Sequence, residues 1–77
     1  MLTIRHLDKV GVLAKIFDSL RAAGLNVSQM DNEVFEGAVA AVASINIDAE
    51  PSAQLLNALR TDAEILDVSV SELGGHN

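Results

Sequence analysis

The sequence predicts one α+β domain in which the elements run strand, helix, strand, strand, helix, strand. Three observations predict it. Apolar residues alternate one by one near both ends of the chain and in its middle. Between those stretches the spacing changes to threes and fours, which is the period of a helix face. The chain has 77 residues, which allows a single domain and no more.

Residues 1–7 place Leu2, Ile4 and His6 on one side and Thr3, Arg5 and Leu7 on the other, the period of a strand. Asp8 is positioned to accept hydrogen bonds from the free N–H groups of a helix start. Val10, Leu13, Phe17 and Leu20, with Ile16 beside them, then form one apolar stripe, opposed by Lys15, Asp18, Ser19 and Arg21. Gly24 closes this helix, because glycine takes the left-handed conformation that ends many helices.

Residues 26–35 and 38–48 read as two strands around a tight turn at Glu36-Gly37. The second of them carries Val39, Ala41, Ala43, Ile45 and Ile47 on one face and the small residues Ala40, Val42, Ser44 and Asn46 on the other, which suits the middle of a sheet. The first is rich in polar side chains (Asn26, Ser28, Gln29, Asp31, Asn32, Glu33), which suits an edge. Glu50-Pro51-Ser52 opens a second helix, with Ala53, Leu56 and Leu59 as its stripe and Leu55 widening it. Residues 65–73 form the last strand, with Leu66, Val68 and Val70 expected inward and Asp67, Ser69 and Ser71 outward. Residues 1–73 thus make the domain, and 74–77 are a polar tail. The order β-α-β-β-α-β is the ferredoxin-like arrangement: a four-stranded antiparallel sheet with two helices on one face. The other face is left to solvent or to a further packing partner.

Composition narrows the function. Five basic residues against eleven acidic ones give a net charge of −6, which repels nucleic acid and acidic lipid surfaces. Two Phe, no Trp and no Tyr leave no stacking platform for single-stranded nucleic acid. No apolar run reaches the roughly 20 residues of a membrane span, no signal-peptide layout is visible, and a cytoplasmic setting fits. With no cysteine there is no disulfide or thiolate metal site, and His6 and His76 stand at opposite ends, so no metal or other cofactor is expected. A domain this small buries only roughly 60% of its unfolded surface, and oligomerisation is the remaining common support. Catalysis has little to work with: there is no G-x-S-x-G elbow, no H-E-x-x-H and no phosphate loop, and no catalytic residue is assigned.

The informative stretch is His6-Leu7-Asp8-Lys9-Val10-Gly11-Val12-Leu13. A strand end carries an imidazole, a short loop follows, and a glycine stands at the first turn of a helix, where the backbone can be approached closely. The N–H groups and dipole of the helix start favour a carboxylate. Glycine in a first turn weakens a helix by up to about 1 kcal/mol, so its presence there calls for a reason. Other readings stand beside this one. His6 shares the side of Leu2 and Ile4 and so also fits a strand-end core position. Asp8 also fits a plain cap, and Asn26 also fits a plain turn residue after Gly24.

These residues resemble a known family. Asp8-Lys9-Val10-Gly11-Val12-Leu13 is similar to the ligand loop of ACT domains, especially the C-terminal regulatory ACT domain of D-3-phosphoglycerate dehydrogenases. Gly24-Leu25-Asn26-Val27 resembles the segment that follows the first helix in that family, and Phe35-Glu36-Gly37-Ala38 its hairpin. The resemblance runs from about Leu2 to Leu73. It implies a regulatory module, not an enzyme, that binds a small amino acid such as L-serine and forms a homodimer through the edge strand. It also implies a larger parent oxidoreductase of serine biosynthesis, and Met1 standing directly at a strand start is expected of a segment of such a chain. The implied ligand contacts are His6, Asp8, Val10, Gly11, Val12 and Leu13, with Asn26 and Val27 supplied by the partner. Two positions depart from the family: Val10 replaces the usual loop proline, and Asp8 replaces an asparagine, adding a negative charge.

Two other expectations remain open at this point. One is an oligomerisation module whose pocket binds nothing. The other is a small acyl phosphate hydrolase, which needs an arginine cradle where only Arg5 is near.

Overall fold

The computed structural model describes residues 1–34, 37 and 39–71. Their elements are β1 (Leu2–Leu7), α1 (Val12–Ala22), β2 (Val27–Val34), β3 (Ala40–Ile47), α2 (Ala53–Arg60) and β4 (Ile65–Val70). The strands form one antiparallel sheet in the order β2-β3-β1-β4. This is the α+β ferredoxin-like architecture, with β3 and β1 inside and β2 and β4 at the edges. Leu2, Ile4, Ala43, Ile45, Ile65 and Val68 from the sheet join Val12, Ile16, Leu20, Leu55 and Leu59 from the helices in a single core. Both helices therefore cover the same face. The expected Glu36-Gly37 turn falls largely, and the segment from residue 72 through the tail wholly, outside the described residues; Gly37 itself has φ +79°.

Helix α1 starts later than its apolar spacing suggests. Val10 is fully exposed, and the buried stripe is Val12, Ile16 and Leu20, with Leu13 and Phe17 half-buried beside it. Spacings of three and four continue backwards past a helix start, so periodicity alone could not exclude Val10. What ends the helix backwards is Gly11, the N-cap residue, whose φ of +89° breaks the helical path. The far end behaves as expected. Gly24 has φ +79°, its N–H donates to Arg21 O, and the Leu25 N–H donates to Leu20 O. Those two bonds are a Schellman cap, and Leu25 packs back on the core as such caps favour.

Helix α2 is capped by Ser52, whose Oγ accepts the Leu55 N–H at 3.1 Å. Its buried residues are Leu55 and Leu59, with Leu56 half-buried and Ala53 exposed, so the stripe is centred one position from the expected one. In β3 the alternation holds for Ala41, Ala43 and Ile45, all wholly buried, while Val39 lies before the strand and is exposed.

The last strand corrects the expected alternation. Ile65 and Val68 are buried, whereas Leu66 is 42% exposed. The β1–β4 register shifts between Arg5 and His6: Arg5 faces Asp67, but His6 faces Ile65. One extra residue, Leu66, is accommodated there as a bulge, so the side chains before it change faces. Val70 keeps the side of Val68 but lies at the sheet end and is 41% exposed.

Candidate functional site

The end of β1 enters the loop 8–11 between two anchors. On the β4 side the Leu7 N–H donates to Glu64 O at 2.9 Å, and on the β3 side the Asp8 N–H donates to Val39 O at 2.8 Å. The Lys9 N–H then turns back to Leu7 O at 3.0 Å, and Gly11 sends the chain into α1. The charged side chains reinforce the β4 anchor. Lys15 Nζ lies 2.9 Å from Asp62 and 2.6 Å from Glu64, with Lys9 at 3.8 Å from Glu64. Hydrogen bonds to Glu64 and then Asp62 raise the Lys15 ammonium above its ordinary value, and the Lys15 hydrogen bond holds the Asp62 carboxyl below its own.

Asp8 does not cap α1. Gly11 holds the N-cap position and no side chain supplies a cap bond, because Asp8 stands three residues too early. Its carboxylate is exposed on the loop. Gly11 has a conformational reason to be glycine, since residues with a Cβ rarely adopt φ near +89°. Without a cap, the Leu13 and Ala14 N–H groups have no acceptor among the described residues.

His6 is 2% exposed and shares the helix-covered face with Leu2 and Ile4. Its Nδ1 lies 2.9 Å from Leu7 O and its Nε2 lies 2.9 Å from Asn32 Oδ1. Asn32 belongs to β2, two strands away. The register explains the reach: His6 faces Ala41, and Asn32 faces Ala43. Two alanines on the intervening strand leave space for an imidazole to lie across it. Asn32 is the residue of this cluster that the sequence reading counted only as part of a polar edge. The available signal was its alternation with Asp31 and Glu33, which puts Asn32 on the side of Met30 and Val34.

Of the residues singled out in the sequence, His6, Asp8, Val10 and Gly11 thus gather at one end of the sheet. Val12 and Leu13 pack into the core beneath. Asn26 and Val27 lie at the other end, where Val27 faces Ile47. There the Asn26 backbone N–H and its Nδ2 each donate to the Asp48 carboxylate at 3.0 Å. These bonds, the backbone one foremost, hold the Asp48 carboxyl below its ordinary value. A shallow groove of about 280 Å³ opens beside Asn26 and Val27, floored by Phe17, Leu20 and Leu25. Among the described residues no group of three His, Cys, Asp or Glu side chains converges as a metal site, and no helix is long and apolar enough to cross a membrane.

No family model and no curated protein matches this sequence. Among solved structures, the chain is similar to one described as GqqA, a novel type of quorum quenching acylase. The two are 27% identical with a TM-score of 0.60. The match covers 87% of this chain and 27% of that one, so this chain spans about a quarter of the length of the protein it resembles.

Proposed function

We propose that this chain is an ACT-like regulatory domain, without catalytic activity of its own, that binds a small amino acid between two copies of itself. The observation that carries the reading is the His6 end of the sheet. There a buried imidazole lies under a loop pinned from both sides and turned by a left-handed glycine. The resemblance of residues 8–13 and 24–27 to ACT ligand segments supplies the ligand class, L-serine being the first candidate. The parent protein is then a D-3-phosphoglycerate dehydrogenase-like oxidoreductase of the cytoplasm, with this domain as its C-terminal allosteric module. The likeness to a stretch of a much longer acylase chain supports a unit carried within larger proteins.

Asn26 enters this reading through a second copy. β2 is an eight-residue edge strand with Val27, Met30 and Val34 exposed along it. If two copies pair antiparallel through β2, the start of one β2 lies beside the end of the other. Asn26 and Val27 of one protomer then come to the His6 end of its partner. Such pairing also covers apolar surface that a thin core leaves open.

The second reading, a dimerisation module that binds no effector, is favoured by one observation: both ring nitrogens of His6 already lie 2.9 Å from a polar group of its own chain, Leu7 O and the Asn32 side-chain amide. A thermal-shift titration with the twenty protein amino acids separates the two. The amino-acid reading predicts stabilisation by one or a few of them, about 2.7 kcal/mol at a hundredfold excess over Kd, lost in His6→Ala and in Asn26→Ala. A flat response from a stable dimer leaves the assembly module, and a monomer at high concentration in light scattering overturns both.

A further inference from the structure

We propose that the β4 edge is a second surface on which another copy of this chain pairs, and that Arg60 keeps it shut. The inference goes beyond the amino-acid reading and stands without it. In an antiparallel pair, residues that exchange main-chain hydrogen bonds alternate with residues that do not. The Ser71 N–H donates to Met1 O, and from there Val70, Ser69, Val68 and Asp67 face Leu2, Thr3, Ile4 and Arg5. Ser69 and Asp67 therefore bond inward to β1, while Val68 and Val70 turn their N–H and C=O groups outward.

The outward carbonyl of Val68 is taken. Arg60 Nη2 donates to it at 3.1 Å. Arg60 is the last residue of α2, so the helix that covers the sheet also reaches round its edge. The β2 edge has no such closure. The Asp8 N–H donates to Val39 O, so alternate β3 residues from Val39 on bond to β1, and Val42, Ser44 and Asn46 bond to Glu33, Asp31 and Gln29. Met30, Asn32 and Val34 then turn their main chains outward, and no side chain among the described residues bonds to those groups.

The occupant that fits β4 is a second β4 running antiparallel. About a two-fold axis at Val68, the two copies exchange the Val68 N–H and C=O groups. Val70 falls opposite Leu66, so two exposed apolar residues cover each other. Asp67 falls opposite Ser69, so the like charges do not meet. Arg60 holds the carbonyl at that axis, and its charge stands where the second strand would enter.

The test compares the wild type with Arg60→Ala and with Arg60→Ala/Val70→Lys by light scattering over a broad concentration range, with circular dichroism reporting the fold. Arg60→Ala is expected to rise in mass about twofold or more over the wild type, because an isologous contact joins copies in pairs. Where the wild type is a β2-paired dimer, the second contact makes an open chain whose mass keeps rising with concentration. Where the wild type is a monomer, growth stops at two copies, which sinks the β2 pairing above and supports the β4 contact. Lysine at Val70 places a charge on the edge and is expected to return the mass to the wild-type value. It does not rescue association caused by unfolding. In the wild type, rotation of the Arg60 guanidinium, read from its Nη resonances, is expected to be hindered, a readout that needs no variant to fold. An Arg60→Ala mass equal to that of the wild type at every concentration, association that persists undiminished with Val70→Lys, or a freely rotating guanidinium would each overturn the inference.

Discussion

Replacing Gly11 by alanine separates a backbone effect from every packing effect. A Cβ built on Gly11 meets no atom within 4 Å, so the substitution creates no clash. It also removes no side-chain contact, and the N-cap bond that serine or aspartate would make is already missing. What remains is the φ of +89°, a conformation that costs an L-residue with a Cβ about 1–2 kcal/mol. Against this, alanine restricts the unfolded chain and recovers about 0.4–1 kcal/mol. The net expectation is a destabilisation of about 1 kcal/mol, or a fall of about 4–8 °C in Tm for a domain of this size. Urea unfolding measures it directly, with the slope unchanged and only the midpoint lowered. D-alanine at the same position, introduced by chemical synthesis, prefers positive φ and should be at least as stable as glycine. An L-alanine variant as stable as the wild type, or D- and L-alanine variants equally impaired, would refute the argument that Gly11 is there for its left-handed backbone.

Three further outcomes follow from the same structure. Ser52→Ala removes the Oγ that accepts the Leu55 N–H and should cost about 1 kcal/mol, with faster hydrogen exchange at Leu55 as the local sign. Val68→Ala in the core should cost about 2 kcal/mol, whereas Leu66→Ala on the bulge should cost less than about 1 kcal/mol; the reverse order in urea unfolding would place the bulge elsewhere. Asp48 and Asp62 both have carboxyl groups held below the ordinary 3.8, so the folded state binds fewer protons there than the unfolded chain. Their contribution to stability is present above that value and is lost as pH falls through the lower folded values. Asp48→Asn should accordingly flatten the acid limb of a stability-against-pH curve, and an unchanged limb would remove Asp48 from the account.

Much of the fold could be read from residue spacing, because alternation in β1 and β3 reports directly which face is covered. Leu2, Ile4, Ala41, Ala43 and Ile45 were all legible in that way. The bulge at Leu66 was not, since one inserted residue changes the faces of its neighbours without any mark in composition. Val10 was misread for a related reason: a helical period does not state where the helix begins, and the mark that does, Gly11, was read as lying inside the first turn. At the site, His6 and the loop were visible as a contiguous stretch. The His6–Asn32 pair was not, because it depends on a register across two strands and on the small size of Ala41 and Ala43 between them. Asn26 shows the opposite case, a residue visible in sequence whose proposed use lies in a second copy and whose own chain ties it to Asp48.

The central claim is a site made by two copies, with the His6 end of one protomer and Asn26 of the other, and subunit mixing tests it most directly. His6→Ala and Asn26→Ala chains should each fail to bind the amino acid that the wild type binds, whether measured by calorimetry or thermal shift. When the two variants are mixed and allowed to exchange subunits, each mixed dimer regains one intact site, and binding should return at about half the wild-type stoichiometry in those dimers. A mixture that exchanges subunits yet stays as inert as its components would contradict a shared site.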